Sequence, residues 1–276
     1  MKKFSSFIIE GVGTGGLEYE DKVRGVVEKA LKDKKLNLKK THTLKPDDGG
    51  GFDNSVVDMY MTVVVPPKQE IPIEIKMDKN AQMGGPSVRI NKGKDEYSFS
   101  KAGDALEQDV QDMIIDAIKS KEGDIRKYIT RMKQEEPKDL HASNGDYEVP
   151  FKTTKETWGV LQKEGMLKPI NTIVKYNTKF IHYWYAKKKC YYIQIGKSGL
   201  FYMKKNPLNL PIPQLSADIE IYIRLTRSGS GGTRAYPTQR SSQIRCIAKL
   251  KAKGKSKYTL DNLEDAKVIL DAMTKA

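Results

Sequence analysis

Two β-rich runs separated by a short polar loop constrain this chain more than any other feature. The first run covers residues 56–65 and the second covers residues 71–76. Because side chains alternate between the two faces of a strand, Glu74 and Lys76 share one face and isoleucines fill the other. The sequence therefore predicts an antiparallel hairpin with a charged face and an apolar face.

The position of the turn decides which acidic residues face each other. If the hairpin turns near Pro66, Asp58 lies opposite Glu74, because the two are equally far from the turn. A turn centred on Lys68 would instead place Asp78 opposite Asp58. Two facing carboxylates repel unless a cation lies between them, and their oxygens suit Mg2+. With the turn near Pro66, the sequence predicts a metal site at Asp58 and Glu74.

A helix is predicted over residues 17–31, before the hairpin. Its apolar side chains recur at the spacing of one helical face, and Glu20 falls on that face. A glutamate on a buried face needs a partner. A first-turn glutamate that interacts with the helix dipole is the competing interpretation.

Asp58 together with Glu74-Ile75-Lys76 resembles the motif of the PD-(D/E)xK nuclease superfamily, which has the restriction-endonuclease-like fold. That motif has an acidic residue on one strand and an acid-x-Lys sequence on the next. The chain departs from it at Val57, where the motif has proline, and this position touches no ligand. The alternative is a solvated hairpin face, because E-x-K occurs by chance in chains rich in Glu and Lys.

The resemblance implies a role for each of these residues. Asp58 and Glu74 would hold Mg2+, or Mn2+ in its place, and Glu20 would be a third metal-binding acid. Lys76 would orient or help deprotonate the attacking water, or neutralise charge on the phosphorane. Several branches of the superfamily have a glutamine soon after this strand, and Gln82 is the residue that resembles it.

Positive charge is concentrated in the second half of the chain. Residues 1–150 contain 25 basic and 27 acidic residues, whereas residues 151–276 contain 24 basic and 8 acidic residues. Because lysine and arginine displace counterions from phosphates, this asymmetry indicates a nucleic-acid partner. A basic protein without such a partner is the alternative. The candidates for phosphate contact are Arg224, Arg227, Arg234 and Lys197.

Three glycine-containing segments imitate nucleotide-binding loops. Residues 11–16 match G-x-G-x-x-G, but the sequence after the following helix does not resemble the rest of a Rossmann unit. Gly196-Lys197-Ser198 and Gly254-Lys255-Ser256 lack the first glycine of a Walker loop, because Tyr191 and Lys249 occupy that position. We therefore expect no nucleotide cofactor and interpret residues 11–16 as a loop near the active site.

The rest of the chain predicts helices followed by strands. Aromatic residues in the middle strands are interpreted as core, with base stacking as the alternative. The predicted helices cover residues 104–119, 124–134 and 153–163, with a final helix after an Asp261 cap. The predicted strands cover residues 4–10, 180–185, 190–195, 200–203, 217–226 and 243–251.

Together these elements predict an α/β protein. A restriction-endonuclease-like core, with a mixed β-sheet flanked by helices, would cover residues 1–205 and contain a helical insertion around 101–165. A basic, β-rich C-terminal extension would cover residues 206–276. No apolar run reaches the length of a membrane span, and we expect a cytoplasmic protein.

The expected activity is that of a divalent-metal-dependent deoxyribonuclease, an endonuclease rather than an exonuclease, with DNA as its partner. Cutting both strands with one site per chain would favour a homodimer. The alternative is a nucleic-acid-binding protein without catalysis that uses the basic half of the chain.

Overall fold

The computed structural model describes most of the chain. The described residues are 14–32, 44–48, 58–63, 69–80, 82, 86–91, 96–99, 106–136, 147–149, 151–176, 181, 190–227 and 234–275. The predicted strand at residues 4–10 lies outside them, as does Val57.

Groups of strands are separated by helices along the chain. The helices are α1 (Thr14–Lys32), α2 (Gln108–Lys119), α3 (Glu122–Glu135), α4 (Lys155–Lys163) and α5 (Leu263–Lys275). The strands are β1 (Leu44–Asp48), β2 (Met59–Val63), β3 (Gln69–Lys76), β4 (Ser87–Asn91), β5 (Tyr97–Phe99), β6 (Tyr147–Val149), β7 (Phe151–Thr153), β8 (Thr172–Tyr176), β9 (Tyr192–Ile195), β10 (Gly199–Tyr202), β11 (Ser216–Arg227) and β12 (Arg240–Lys253).

Five strands form a mixed sheet, called sheet A, in the order β1-β2-β3-β9-β10. The pairs β1–β2, β2–β3 and β9–β10 are antiparallel, whereas β3 and β9 run parallel. Parallel neighbours need a long crossover connection, and here it contains β4 to β8 and α2 to α4. Strand β9 therefore reaches an interior position of the sheet, beside β3, from far along the chain.

The second sheet, called sheet B, is antiparallel throughout. Its main order is β5-β4-β12-β11-β8, with β6 added to β4 and β7 added to β12. Strands β11 and β12 form its longest pair, and their apolar and polar residues alternate as a half-buried hairpin requires. Strands from both sides of residue 206 share this sheet.

Two apolar cores hold the layers together. The first lies between sheet A and the paired helices α1 and α5, and includes Val23, Val27, Ile73 and Ile269. The second joins the inner face of sheet B to α2, α3 and α4. Residues of β9 and β10 on the other face of sheet A also belong to this second core. Sheet A is therefore covered by helices on one face and approached by sheet B on the other.

Most of the predicted regular structure is confirmed. Helices α1, α2 and α3 match the helical periodicities, and strands β9 to β12 match the predicted runs within a few residues. The coarse fold, an α/β protein with mixed and antiparallel sheets flanked by helices, is also confirmed. Tyr192 and Phe201 are buried, so these aromatic side chains form core. Among the described residues, no helix has both the length and the apolarity to cross a membrane.

Two local predictions fail at the residues that the structure describes, and one predicted helix starts two residues late. Thr14 to Gly16 form the first turn of α1 instead of a loop, while residues 11–13 lie outside the described part. The helix predicted over residues 153–163 is confirmed as α4 with a later start, because Thr153 ends strand β7 and the Thr154 hydroxyl caps the helix by accepting a hydrogen bond from the Thr157 N–H. Of residues 180–185, only Ile181 is described, and it is helical rather than extended.

The cap of the last helix is also corrected. The Asn262 side-chain oxygen accepts hydrogen bonds from the N–H groups of Glu264 and Asp265, at 3.0 and 3.2 Å. Asn262 thus satisfies the free donors at the start of α5. Asp261, the predicted cap, instead accepts a hydrogen bond from the Tyr19 hydroxyl.

Candidate active site

The register of the β2–β3 hairpin selects one of the two predicted turn positions. Met59 is the partner of Ile73, and Met61 is the partner of Ile71. Each pair is equidistant from position 66, so the next pair outward is Asp58 with Glu74. The alternative with Asp78 opposite Asp58 is wrong, because it needs a register shifted along the strand.

Lys76 lies between the two carboxylates. Its Nζ is 3.1 Å from Oδ2 of Asp58 and 2.5 Å from Oε1 of Glu74. The same Asp58 oxygen accepts a hydrogen bond from the Ile75 N–H at 2.8 Å. This backbone contact fixes the aspartate at the end of β3, because β3 is anchored by its isoleucines in the first core. The three ionised groups form one connected cluster.

The cluster is largely removed from water. Glu74 is 1% exposed and Asp58 is 8% exposed, while the Lys76 side chain is 12% exposed. Burial alone disfavours the ammonium form of Lys76. The carboxylates of Glu74 and Asp58 outweigh that effect and raise the pKa of Lys76 above its ordinary value. Lys76 is therefore fully charged at neutral pH.

Glu20 of α1 interacts electrostatically with this cluster. Burial, followed by the negative charge of Asp58, raises the pKa of Glu20 to about 7. The positive charges of Lys76 and Arg24 act in the opposite direction, and the Arg24 guanidinium lies 3.6 Å from the Glu20 carboxylate. The structure thus brings the helix glutamate to the hairpin acids, as its place on the apolar face of the helix suggested.

The donor set fits a hard divalent cation. Carboxylate oxygens are the ligands that Mg2+ takes in proteins, and the ammonium of Lys76 already occupies a cation position between two of them. In the described part of the chain, no group of three or more His, Cys, Asp or Glu side chains is arranged to hold a metal ion. Asp58 and Glu74 are the residues that could hold one, with Glu20 beside them.

Gln82 does not lie beside the cluster of Asp58, Glu74 and Lys76. It forms an isolated antiparallel bridge with Lys249 of β12, and its side chain is exposed. Among the described residues, no hydrogen bond joins Gln82 to the carboxylate cluster. The chain leaves sheet A after Lys76 and follows the edge of sheet B, which carries the glutamine away from the hairpin.

The four candidate phosphate-binding residues occupy different environments. Arg224 and Arg234 are exposed, and Lys197 is exposed in the turn between β9 and β10. Arg227 is different: its guanidinium donates to the Thr238 carbonyl, and its Nε is buried. Burial lowers the pKa of Arg227, and the nearby charge of Arg240 adds to the effect. Arg227 is thus directed into the protein.

Sequence reasoning missed a buried network that fixes the start of α1. Gln194 of β9 is fully buried, and its side-chain N–H groups donate to the Tyr19 hydroxyl at 3.0 Å and to Thr259 Oγ1 at 2.7 Å. Tyr19 in turn donates to Asp261 at 2.9 Å. The available signal was Gln194 itself, a polar residue in a run otherwise apolar and aromatic. Because Tyr19 precedes Glu20, this network also fixes the backbone that carries the glutamate.

Comparison with models of protein families, with curated proteins and with solved structures found no match to this chain.

Proposed function

We propose that this protein is a divalent-metal-dependent deoxyribonuclease that hydrolyses DNA phosphodiester bonds, as an endonuclease rather than an exonuclease. The observation that carries the proposal is the buried pairing of Asp58 with Glu74 around the Lys76 ammonium. Buried charges cost free energy, and perturbed acids gathered at one place are typical of catalytic sites.

The order of helices and strands around the cluster supports the same proposal. The resemblance to the PD-(D/E)xK superfamily calls for a helix before the first strand, an acid-bearing hairpin and further strands in a mixed sheet. Helix α1 precedes β1, the hairpin is β2–β3, and β9 and β10 complete sheet A. A restriction-endonuclease-like core is therefore part of the proposal.

Asp58 and Glu74 would hold Mg2+ or Mn2+, with Glu20 as the third acid. A bound divalent metal supplies Lewis-acid activation of water and of the phosphodiester. Glu20, whose pKa is raised to about 7, would release its proton when a cation binds beside it. Metal binding and deprotonation of Glu20 are thereby coupled.

Lys76 has one role that its protonation state favours. A general base must be able to lose its proton near the working pH, and the raised pKa of Lys76 opposes that. A permanent positive charge next to two acids instead suits stabilisation of the charge that develops on the phosphorane. We therefore assign Lys76 to electrostatic stabilisation of the phosphorane.

The test is cleavage of plasmid, linear duplex and single-stranded DNA by the pure protein with Mg2+, with Mn2+ and with EDTA. We expect cutting only with a divalent ion, and nicking of covalently closed plasmid, because an endonuclease needs no free end. Double-strand breaks together with a dimer in gel filtration would indicate two sites acting on the two strands. Absence of cleavage with both metals on all three substrates would contradict the proposal.

A second candidate function is nucleic-acid binding without catalysis. It is favoured by the internal pairing of the cluster, in which Lys76 already neutralises charge from both carboxylates. In that case the charges would be structural, and the basic C-terminal half would bind nucleic acid. Metal-independent binding with no cleavage in the same assay would support this candidate.

A further inference from the structure

The two Gly-Lys-Ser segments that fail as Walker loops lie side by side in the structure. Gly196-Lys197-Ser198 forms the turn between β9 and β10, and Gly254-Lys255-Ser256 follows β12. The Ser256 N–H donates to the Ser198 carbonyl at 2.7 Å. Two copies of one tripeptide, far apart in sequence, therefore meet at one end of sheet A.

Steric constraints hold the two turns together. Gly199 has a φ of +102°, and a Cβ there would lie 2.7 Å from the Tyr258 carbonyl oxygen and 2.8 Å from the Ser256 Cβ. The Leu200 N–H donates to the same Tyr258 carbonyl at 2.8 Å. Glycine is required at this position because any side chain would separate the turns.

The paired turns adjoin the candidate active site. Strands β3 and β9 are parallel, with Lys76 beside Ile195, and the Gly196 N–H donates to the Lys76 carbonyl at 2.8 Å. A Cβ on Gly196 would collide with the Met77 carbonyl, so the first turn packs directly on the end of β3. Lys197 follows two residues after Ile195, a chain length of about 7 Å.

The paired turns carry exposed positive charge. Lys197, Lys255 and Lys257 are exposed. Within the part of the chain that the structure describes, no carboxylate forms an ion pair with any of these three lysines. Both turns lack the helix that a Walker loop precedes, since the first leads into β10 and the second into an irregular segment before α5. They therefore suit a phosphate approached from outside, not an enclosed nucleotide.

We propose that the paired Gly-Lys-Ser turns bind the phosphodiester backbone of the nucleic-acid substrate next to the bond that is cut. This inference rests on the proposed nuclease function, because the adjacent cluster defines which bond that is. Lysine ammonium groups act as point charges that displace counterions from phosphates. Because the backbones of the two turns are hydrogen-bonded to each other, they would hold the nucleic-acid strand at a fixed distance from Lys76.

Binding is tested without cleavage, by fluorescence polarisation of short single-stranded and duplex DNA in EDTA. The variant K197Q/K255Q is compared with K168Q/K175Q, which removes the same charge from exposed lysines near and on β8. We expect the first variant to weaken binding at least 10-fold at low salt, and its log–log salt slope to fall by roughly 1.8 on duplex and roughly 1.4 on single-stranded DNA. The control should change the affinity less than about 3-fold.

Lys197 has a positive φ of 64°, so its replacement could disturb the turn. The single variant K255E avoids this, and it should also weaken binding while its melting temperature stays that of the wild type. Equal affinity of K197Q/K255Q, K255E and the control would overturn the proposal. Weakened binding by a protein that never cleaves DNA would keep the binding surface and remove the nuclease function.

Discussion

Two β-hairpins of this protein place their charged residues in opposite environments. In β11–β12, Ile219, Ile221 and Ile223 point inward, while Glu220 pairs with Lys251 on the solvent side at 3.6 Å. In β2–β3, the charged face itself is buried, and Glu74, only 1% exposed, is about as buried as the apolar core residues. Both hairpins follow the two-residue alternation of a strand, yet only one turns its charged face to water.

The difference separates charges that packing alone explains from charges that the proposed function would use. Exposed cross-strand ion pairs contribute little stability, and a soluble sheet carries them on its outer face as a matter of course. Buried ion pairs are costly to desolvate, and apolar replacements are often as stable or more stable. The long hairpin is therefore explained by packing, whereas the short one points to chemistry.

The largest expected effect is on catalysis. Glu74→Gln keeps the shape of the side chain but removes the charge that would hold the metal under the proposed function, and we then expect DNA cleavage to fall by roughly 1,000-fold or more. Glu220→Gln makes the same change on β11 and should leave cleavage unchanged. Initial rates of plasmid nicking in Mg2+ measure both, and polarisation in EDTA should show that DNA binding persists. Equal rates for the two variants would remove the distinction between the hairpins.

The next effect is on stability. Lys76→Met leaves two buried carboxylates without their cation, and we expect the free energy of unfolding in EDTA to fall by about 3 kcal/mol. Lys251→Met removes an exposed partner of Glu220 and should cost less than about 1 kcal/mol. Urea denaturation at pH 7.5 gives both values. A similar loss in the two variants would mean that the cluster behaves as an ordinary surface ion pair.

A pH-dependent effect is expected at Glu20. The unfolded carboxyl ionises near its ordinary pKa of 4.5, whereas in the folded protein the pKa is raised to about 7. The unfolded state therefore loses its proton first, and stability falls as pH rises from about 4.5 to 7. Above pH 7 the full loss of stability that comes from ionising the partly buried Glu20 carboxyl is present.

Glu20→Gln removes this penalty. Compared with wild type in EDTA, it should be more stable by about 1 to 2 kcal/mol at pH 8 and nearly equal at pH 4, since partial solvation limits the effect. Glu18→Gln, on the exposed side of the same helix, should change stability by less than about 0.5 kcal/mol at either pH. Thermal unfolding at the two pH values decides the matter: a stabilisation by Glu20→Gln that does not vary with pH would contradict the electrostatic account.

The smallest effects concern helix caps. Here the helix packed beside sheet A and the helix packed beside sheet B should lose similar stability. Asn262→Ala removes the cap of α5 beside sheet A, and Thr154→Ala removes the cap of α4 beside sheet B. We expect each to cost about 1 kcal/mol. Comparable losses in urea denaturation would show that the regions differ in their buried charges and not in ordinary helix chemistry.

Local sequence patterns predicted the parts of the candidate site that depend on neighbouring residues. The position of Glu20 followed from helical periodicity, and the pairing of Asp58 with Glu74 was one of the two that the sequence allowed, the one with a turn near Pro66. The missed features depend on distant residues. Gln82 was expected near the motif because the resemblance implies a glutamine soon after the acid-x-Lys strand, but its strand partner is Lys249. The Asp261 cap was wrong because a neighbouring asparagine competed for the same donors and Asp261 had a distant partner in Tyr19.

The sequence by itself determined the alternation of the hairpin strands and the apolar faces of the main helices, because these follow from backbone periodicity over a few residues, and it narrowed the hairpin register to two turn positions. Only the tertiary structure decided that β9 lies beside β3, that Gln194 reaches Tyr19, and that the two Gly-Lys-Ser turns meet. Those contacts join segments far apart in the chain, and they are set by which apolar faces bury each other. Periodicity identifies such faces but does not determine their partners.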